Sequence, residues 1–374
     1  MRKTLSLAVV ASLAVPLLAA VPASRVKEPN AVFAFTADTS TNRLQAVIFD
    51  RAKRRALDHL DVTLDYPPYG IGDMNDAVQF SAATKKIYVG SVEAGSGITR
   101  IVEGNFAWKD PIDVFSCEGC TVTGWIVHPT EPRLYVAIED PHAGGDEFRD
   151  AKIAEITLSP NLRTRVIGRV PTTGGLAFTP DGGRVYVFGE AKKSDPPYGE
   201  LVSIDIADRH RVKTVVNLPR HDVYTDRLHA YTRNVSPDMR EMVYANTVID
   251  LRTKKSAVVL DTGPYVTTNG TIAWSRDAGD VIFPLQQDKG GEEVPQDGKV
   301  FVDRATKETW TLPLPDSTIL DWAPAQTAVL FRKAGDIGFY DLKNREWVHV
   351  LEGAPGGIAD ASWATLKTKR VPKR

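Results

Sequence analysis

A short unit recurs along this chain: an apolar strand, a polar turn and a second apolar strand. The turns of six copies begin at Ser81, His128, Thr179, Ser236, Ser275 and Ala323. A seventh copy ends at its first strand, with the equivalent position at Ala364. Neighbouring positions lie 39 to 57 residues apart. Repeats of about this length predict the blades of a β-propeller, in which each repeat forms one four-stranded sheet.

Within each unit, the residue types favour strands and tight turns. The second strands at 87–89 and 185–187 are β-branched and aromatic. Pro180, Asp181 and Gly182 predict a turn. An aspartate that can accept hydrogen bonds from nearby backbone N–H groups follows the third strand, at Asp50, Asp205, Asp250, Asp303 and Asp341. Helical periodicity is absent, so we expect an all-β fold.

The two ends of the chain complement each other. Ala31–Asp38, Leu44–Asp50 and Ala56–Val62 resemble strands two, three and four of a blade without a first strand. Ala359–Ala364 resembles a first strand without a blade. Pairing the two would close the ring and cover two exposed sheet edges. We therefore predict seven blades; six is the alternative, because the unit around 219–262 matches the repeat least well.

The segment from Phe178 to Val187, with its Thr-Pro-Asp-Gly-Gly-Arg-Val-Tyr core, resembles the repeat of the YVTN and TolB-type, WD40-like propellers. That group includes the heavy subunits of bacterial amine dehydrogenases and the propeller lactonases. The resemblance covers about the whole chain after its N-terminal segment. It implies blades but no particular chemistry, and no catalytic residue carries over.

The N-terminal segment predicts export. Arg2 and Lys3 precede an uncharged apolar run from Leu5 to Ala20, and small residues lead to Ala23. This order is typical of a secretory signal peptide over 1–23, with an uncleaved anchor as the alternative. We expect 24–374 to form a single propeller in the periplasm or outside the cell, without membrane insertion. The net charge of −1 provides no basic excess for binding nucleic acid.

Cys117 and Cys120 are the two cysteines of the chain. Two close thiols in an oxidising compartment usually pair, so we predict a structural disulfide. A redox pair or half of a metal site is the alternative. The missing second cysteine pair and the absence of a flanking helix both argue against these alternatives.

The long polar connections all fall on one face of the predicted propeller, which we call the loop-rich face. It carries the connections from each second strand to the third and those from each fourth strand to the next blade. The long segments are 66–76, 139–150, 190–200, 219–231 and 286–298. Turns on the opposite face are mostly tight. Function concentrates on extended loops over a rigid scaffold, so we assign the site to the loop-rich face.

The candidate residues on this face are histidines, carboxylates and one arginine. Glu139 and Glu190 occupy matching places on adjacent blades, where they can share a proton or bind a cation, or simply end their strands in solvent. The other candidate ligand-binding residues are His142, His221, Arg227 and His229. Asp140, Asp146, Asp222 and Asp226 are candidate metal ligands, although their spacing matches no defined metal motif.

These features favour a non-catalytic exported propeller that binds a protein partner or a small ligand, with no cofactor. The alternatives are a propeller enzyme of the lactonase or lyase type and a subunit of a periplasmic dehydrogenase. A bound Ca²⁺ that braces the channel is a further alternative. A Ser-His-Asp hydrolase is disfavoured, because no Gly-x-Ser-x-Gly motif is present.

Overall fold

The structure is a computed structural model, and the part of the chain that it describes is all-β, with 30 strands and no helix. It describes residues 30–366 except 69–76, 94–95, 140–150, 159–160, 171–172, 180–181, 191–198, 207–210, 219–235, 237–239, 245–246, 259–264, 268–272, 275–279, 284, 290–291, 296–298, 305, 307–308, 313–316, 323–327, 334, 342–343, 345, 354–357 and 365. The predicted signal peptide at 1–23 lies outside these residues.

Antiparallel sheets follow one another along the chain, and we number them 1 to 7. Sheet 1 contains β1 (Ala31–Asp38), β2 (Arg43–Asp50), β3 (Arg55–Thr63) and the C-terminal β30 (Ile358–Ala364). Sheet 2 contains β4 (Val78–Ser81), β5 (Lys86–Val92), β6 (Thr99–Gly104) and β7 (Ile112–Cys117). Sheet 3 contains β8 (Thr121–Val127), β9 (Arg133–Glu139), β10 (Ala151–Thr157) and β11 (Arg163–Val170). Sheet 4 contains β12 (Thr173–Phe178), β13 (Arg184–Glu190), β14 (Gly199–Asp205) and β15 (Arg211–Leu218).

The second half of the chain continues the pattern less regularly. Sheet 5 has three described strands, β16 (Glu241–Tyr244), β17 (Thr247–Asp250) and β18 (Ser256–Val258). Sheet 6 contains β20 (Ala273–Trp274), β21 (Asp280–Phe283), β24 (Lys299–Asp303) and β25 (Thr309–Leu312). Sheet 7 contains β26 (Ser317–Trp322), β27 (Ala328–Lys333), β28 (Asp336–Asp341) and β29 (Glu346–Leu351). These small sheets confirm the predicted propeller-type, all-β architecture, whereas the count of seven blades stays a prediction.

One segment predicted as a loop is a β-hairpin. The connection at 286–298 forms β22 (Leu285–Lys289) and β23 (Glu292–Pro295). This hairpin pairs through β22 with β19 (Tyr265–Thr267), which precedes sheet 6. We call the three strands the accessory sheet. The polar sequence favours a loop, and pairing with a distant strand overrides that local preference.

The predicted pairing of the chain ends is present. Strand β30 pairs antiparallel with β1, from Ala31 opposite Ala364 to Ala37 opposite Ile358. The Asn30 side chain reinforces this pairing: its Nδ2 donates to the carbonyl of Leu366 at 3.1 Å. The N–H of Leu366 in turn donates to Asn30 Oδ1 at 2.8 Å. The side-chain amide of Asn30 thus bonds both the backbone carbonyl and the backbone N–H of Leu366, just after the C-terminal strand.

The hydrophobic core lies between neighbouring sheets. Alternate residues of β1 face opposite ways: Val32 packs into a cluster shared with sheet 7, and Phe33 into a cluster shared with sheet 2. Further clusters join sheet 2 to sheet 3 and sheet 3 to sheet 4. An ion pair of 2.6 Å from Arg304 to Glu241 links sheets 6 and 5. Sheets 1, 2 and 3 therefore each share a hydrophobic cluster with two neighbouring sheets.

The outermost strands carry a recurrent irregularity. In five sheets the fourth strand has one extra residue that shifts its register with the third strand. The extra residues are Leu57, Val114, Ile167, Val215 and Val350. Such β-bulges twist an edge strand and hinder its pairing with another chain. Pairing of the chain ends does not cover the fourth strands. The bulges therefore protect these outer edge strands from pairing with another chain.

Each described repeat turn is built around one buried acceptor on the face opposite the loop-rich face. Ser81 Oγ accepts from the N–H of Thr84 at 3.2 Å, and Thr179 Oγ1 accepts from that of Arg184 at 3.1 Å. Ser236 Oγ accepts two such bonds, and His128 fills the same role with its ring Nδ1. All four side chains are buried. In these four copies, the repeat detected in the sequence therefore corresponds to this hydrogen-bonded turn.

The predicted aspartate turns are confirmed at Asp50, Asp250 and Asp341. Asp50 accepts from the N–H of Lys53 at 2.9 Å, and Asp341 accepts from that of Asn344 at 2.9 Å. Asp250 accepts from two N–H groups, those of Thr253 at 2.6 Å and Arg252 at 2.9 Å. These bonds hold the pKa values of Asp50 and Asp250 below the ordinary value.

Candidate binding face

The two faces differ in how much their connections vary. On the opposite face, every connection between described strands is four to seven residues long, as at 82–85, 128–132 and 251–255. On the loop-rich face the simple connections range from two residues at 334–335 to 14 at 64–77. Two spans are longer: 284–298 contains the β22–β23 hairpin, and 219–240 between β15 and β16 also includes the repeat turn at Ser236. The accessory sheet belongs to this face, since it contains a second-to-third connection. The placement of a site on the loop-rich face stays a prediction.

Glu139 and the disulfide lie together at this face. Glu139 is the last residue of β9 and is half-buried, between Thr121 of β8 and Ala151 of β10 in the strand register. Thr121 directly follows Cys120. Cys117 and Cys120 form the predicted disulfide, with Cα atoms 5.9 Å apart. Both cysteines pack against the core between sheets 2 and 3, so the bridge fixes the short connection beside Glu139.

Glu190 ends β13 as Glu139 ends β9. Their sheets, 3 and 4, share a hydrophobic cluster, so the two backbone positions match on neighbouring sheets, in the register that the sequence predicts. The other candidate ligand-binding residues lie outside the described residues: His142, His221, Arg227 and His229. The candidate metal ligands Asp140, Asp146, Asp222 and Asp226 also lie outside them.

Two aspartates on sheet 1, near the same face, already have partners. Asp38 accepts hydrogen bonds from Ser40 Oγ at 2.6 Å and Thr41 Oγ1 at 2.8 Å, and these bonds lower its pKa to about 2. Asp61 accepts two bonds from Arg43, at 2.9 and 2.6 Å, which likewise lower its pKa to about 2. Both carboxylates are bonded to neighbouring residues of sheet 1, so we assign them a structural role in that sheet.

A cationic group on sheet 2 joins three elements of the same face. The Arg100 guanidinium forms ion pairs with Asp113 at 2.6 Å and Glu93 at 3.4 Å. Its central carbon lies 5.9 Å from the centre of the Tyr66 ring, on the connection from sheet 1. Pro68 of that connection pairs with Ser91 of β5. Tyr66, an aromatic residue of this face in the sequence, is thus held against sheet 2.

Sequence reasoning missed a set of buried polar groups inside the sheets. Tyr88 and Tyr135 occupy equivalent positions, and each hydroxyl donates to a glutamate directly opposite on the third strand, Glu103 at 2.8 Å and Glu155 at 2.9 Å. Glu155 is also bonded by Arg165 at 2.8 Å. Burial alone would raise the pKa of Glu155, but the Tyr135 bond and the nearby arginines lower it below its ordinary value. Comparing the third strands of sheets 2 and 3 at the residue opposite the tyrosine would have revealed these two pairs, whereas in sheet 4 the residue opposite Tyr186 is Ser203.

The described residues contain no group of three or more histidine, cysteine, aspartate or glutamate side chains placed to hold a metal ion. Among the described residues there is also no helix long and apolar enough to span a membrane.

Of the comparisons with known proteins, the one with solved structures identifies the fold. No family model matches the chain, and no curated protein does. Among solved structures, the chain is similar to an oligogalacturonate lyase in complex with manganese, with 12% identity over 87% of this chain and 85% of that one and a TM-score of 0.53. It is also similar to an oligogalacturonate lyase from Vibrio parahaemolyticus, with 10% identity over 87% of each chain and a TM-score of 0.52. A third similar structure is TolB from Acinetobacter baumannii, with 14% identity over 89% of this chain and 83% of that one and a TM-score of 0.41.

The chain has a β-propeller fold. At these identities the similarity shows the fold alone and assigns no function to the chain.

Proposed function

We propose that this protein is an exported β-propeller that binds a protein partner or a small ligand on its loop-rich face. The observation that supports the proposal is the confinement of length variation to that face. The opposite face keeps connections of four to seven residues, while the loop-rich face carries simple connections of up to 14 residues and the accessory sheet. A rigid scaffold with variable connections on one face is typical of a binding surface.

The proposed contact residues are those of the loop-rich face around sheets 3 and 4. They are Glu139, His142, Glu190, His221, Arg227 and His229. Glu139 has a fixed position, because its strand is paired on both sides and the Cys117–Cys120 bridge lies in the adjoining connection. The proposed location is the periplasm or the exterior of the cell.

Affinity capture from cell-envelope extract tests this proposal. The protein without its first 23 residues is compared with a variant that combines Glu139→Ala, His142→Ala and His229→Ala. A control variant carries Lys109→Ala and Arg252→Ala, two exposed positions in turns of the opposite face. We expect a partner that is retained by the wild type and the control and lost by the loop variant, with all three melting at the same temperature. Equal retention by the loop variant would refute the proposed surface.

A lyase activity is the second candidate, favoured by the similarity to two oligogalacturonate lyase structures with TM-scores above 0.5. Incubation with oligogalacturonates, with and without added Mn²⁺, tests it by the ultraviolet absorption of a newly formed carbon–carbon double bond. Turnover that is abolished by the loop variant and kept by the control would replace the binding proposal with an enzymatic one.

A further inference from the structure

His128 occupies the acceptor position of the repeat turn, where the other described repeats have a hydroxyl. Its Nδ1 accepts from the N–H groups of Thr130 at 3.2 Å and Glu131 at 3.0 Å. Ser81, Thr179 and Ser236 accept the corresponding bonds with oxygen atoms that do not titrate below neutral pH. Among these four turns, the one in sheet 3 is therefore built on a titratable side chain, with an ordinary pKa of about 6.5.

The other ring nitrogen of His128 joins sheet 3 to sheet 4. Nε2 lies 3.1 Å from the carbonyl oxygen of Gly182, in the turn between β12 and β13. Since Nδ1 accepts two bonds, it carries no proton, and the neutral ring must donate from Nε2 to Gly182. The ring also contacts Phe178 of sheet 4 edge-on, with centres 5.0 Å apart. Gly182 has a φ of +74°, and a β-carbon there would overlap the His128 ring.

We propose that His128 makes the contact between sheets 3 and 4 an acid-sensitive joint. The geometry accommodates only the neutral ring with its proton on Nε2. A proton on Nδ1 would replace an acceptor with a donor and point it at two N–H groups. Those two buried donors would lose their partner, and a charge would be placed in a side chain that is 2% exposed.

The charged groups around the ring do not outweigh the cost of protonating it in the closed joint. On sheet 3, Glu131 and Glu155 favour the protonated ring and Arg133 disfavours it. Tyr135 lies beside the ring, and its hydroxyl donates a hydrogen bond to Glu155 rather than to His128. On sheet 4, the charged groups described at this turn are Arg184 and Asp205, which pair with each other at 3.6 Å. Burial is the largest effect, and the pKa of His128 is lowered.

The direction of the pH effect follows from that shift. A histidine with a lowered pKa in the closed joint stabilises it above the ordinary pKa of about 6.5. Below that value the open state binds one proton more than the closed state. Opening of the joint therefore increases up to tenfold for each pH unit, until the pKa of the closed state is reached.

Amide hydrogen exchange measured from pH 7.5 to 4.5, with protection corrected for the intrinsic rate, tests the proposal on the intact chain. We expect protection at Thr130 and Glu131 to fall up to tenfold per pH unit below about pH 6.5. The amides of Arg240 and Glu241, held by Ser236, serve as the internal control and should keep their protection. An equal fall in both turns, or no fall at Thr130 and Glu131, would overturn the proposal.

His128→Ser provides a second, matched test, since it introduces the acceptor that the chain itself uses at Ser81 and Ser236. The variant should lose some stability at all pH values, because the ring packing and the Gly182 bond are gone. Its protection at Thr130 and Glu131 should no longer depend on pH below 6.5. If the variant still loses protection at Thr130 and Glu131 below about pH 6.5, the loss belongs to another titrating group, and the role of His128 is refuted.

Discussion

Gln79 provides the sharpest test of how the sheets are joined at their inner strands. Strand β8 pairs with β9 on one side only, so half of its backbone polar groups point away from its own sheet. Gln79 of β4 satisfies two of them: Nε2 donates to the carbonyl of Trp125 at 3.0 Å, and Oε1 accepts from the N–H of Val127 at 2.9 Å. The side chain is buried, so water does not replace it easily.

Gln79→Met preserves the approximate volume and removes both bonds. Each buried backbone group left unsatisfied costs about 1–3 kcal/mol. We therefore expect the free energy of unfolding to fall by about 2–5 kcal/mol, after a small gain from the apolar side chain. Urea unfolding followed by tryptophan fluorescence measures this, because Trp125 is buried in the cluster between sheets 2 and 3.

Gln79→Glu is the matched control, because its effect should depend on pH in a known direction. The protonated carboxyl can donate to Trp125 and accept from Val127, whereas the ionised carboxylate cannot donate and is buried. Its folded-state pKa is therefore raised, and the stabilising form is present at low pH and lost as pH rises through that pKa. The stability deficit relative to wild type should shrink from pH 7 to pH 4. A Gln79→Met variant within about 0.5 kcal/mol of wild type would refute the reasoning, as would a deficit of Gln79→Glu that is independent of pH.

Three further substitutions test the chain ends, the tight turn and the aspartate turns. Asn30→Ala removes both bonds to Leu366 and should cost about 1–2 kcal/mol in urea unfolding; no change would mean that strand pairing alone holds the ends. Gly182→Ala should cost about 2 kcal/mol or more, from its positive φ and the overlap with His128, and a melting temperature equal to that of wild type would contradict this. Asp250→Ala should cost about 1 kcal/mol near neutral pH. Because the pKa of Asp250 is lowered, that difference should disappear as the pH falls below its folded-state pKa, and a constant difference in pH-dependent unfolding curves would contradict the assignment.

The sequence predicted the repeat and the pairing of the chain ends because both depend on local patterns. A short apolar run bounded by polar residues located β1 at Ala31–Asp38, with the same bounds as in the structure. The groups that join one repeat to another were not predicted. A glutamine in an apolar strand, such as Gln79, or the histidine at position 128 has no local signal for a partner about 50 residues away. Its partner is a backbone group, which leaves no trace in the sequence.

The candidate site was predicted only in part, for a related reason. The place of Glu139 followed from counting along a regular strand that begins at the repeat turn, and Cys117 and Cys120 were close enough in sequence to pair. The accessory sheet was missed because its strands at 285–289 and 292–295 are polar and rich in charge. Their conformation depends on pairing with 265–267, so tertiary contact outweighs local preference there.

The connections on the opposite face vary little in length, whereas those on the loop-rich face vary widely. This difference leads to a last prediction about the loop-rich face. Turns of the opposite face fix their length through buried acceptors such as Ser81 and Ser236, whereas the connections of the loop-rich face vary. Replacing 140–150 with Ala-Gly, the pair that connects β27 to β28 at 334–335, should leave the melting temperature unchanged or raise it. Shortening the loop lowers its closure entropy by on the order of 1 kcal/mol. The same variant should lose the captured partner. Unfolding of the variant would show that residues 140–150 support the fold, and would remove the physical basis for treating this face as separate from the scaffold.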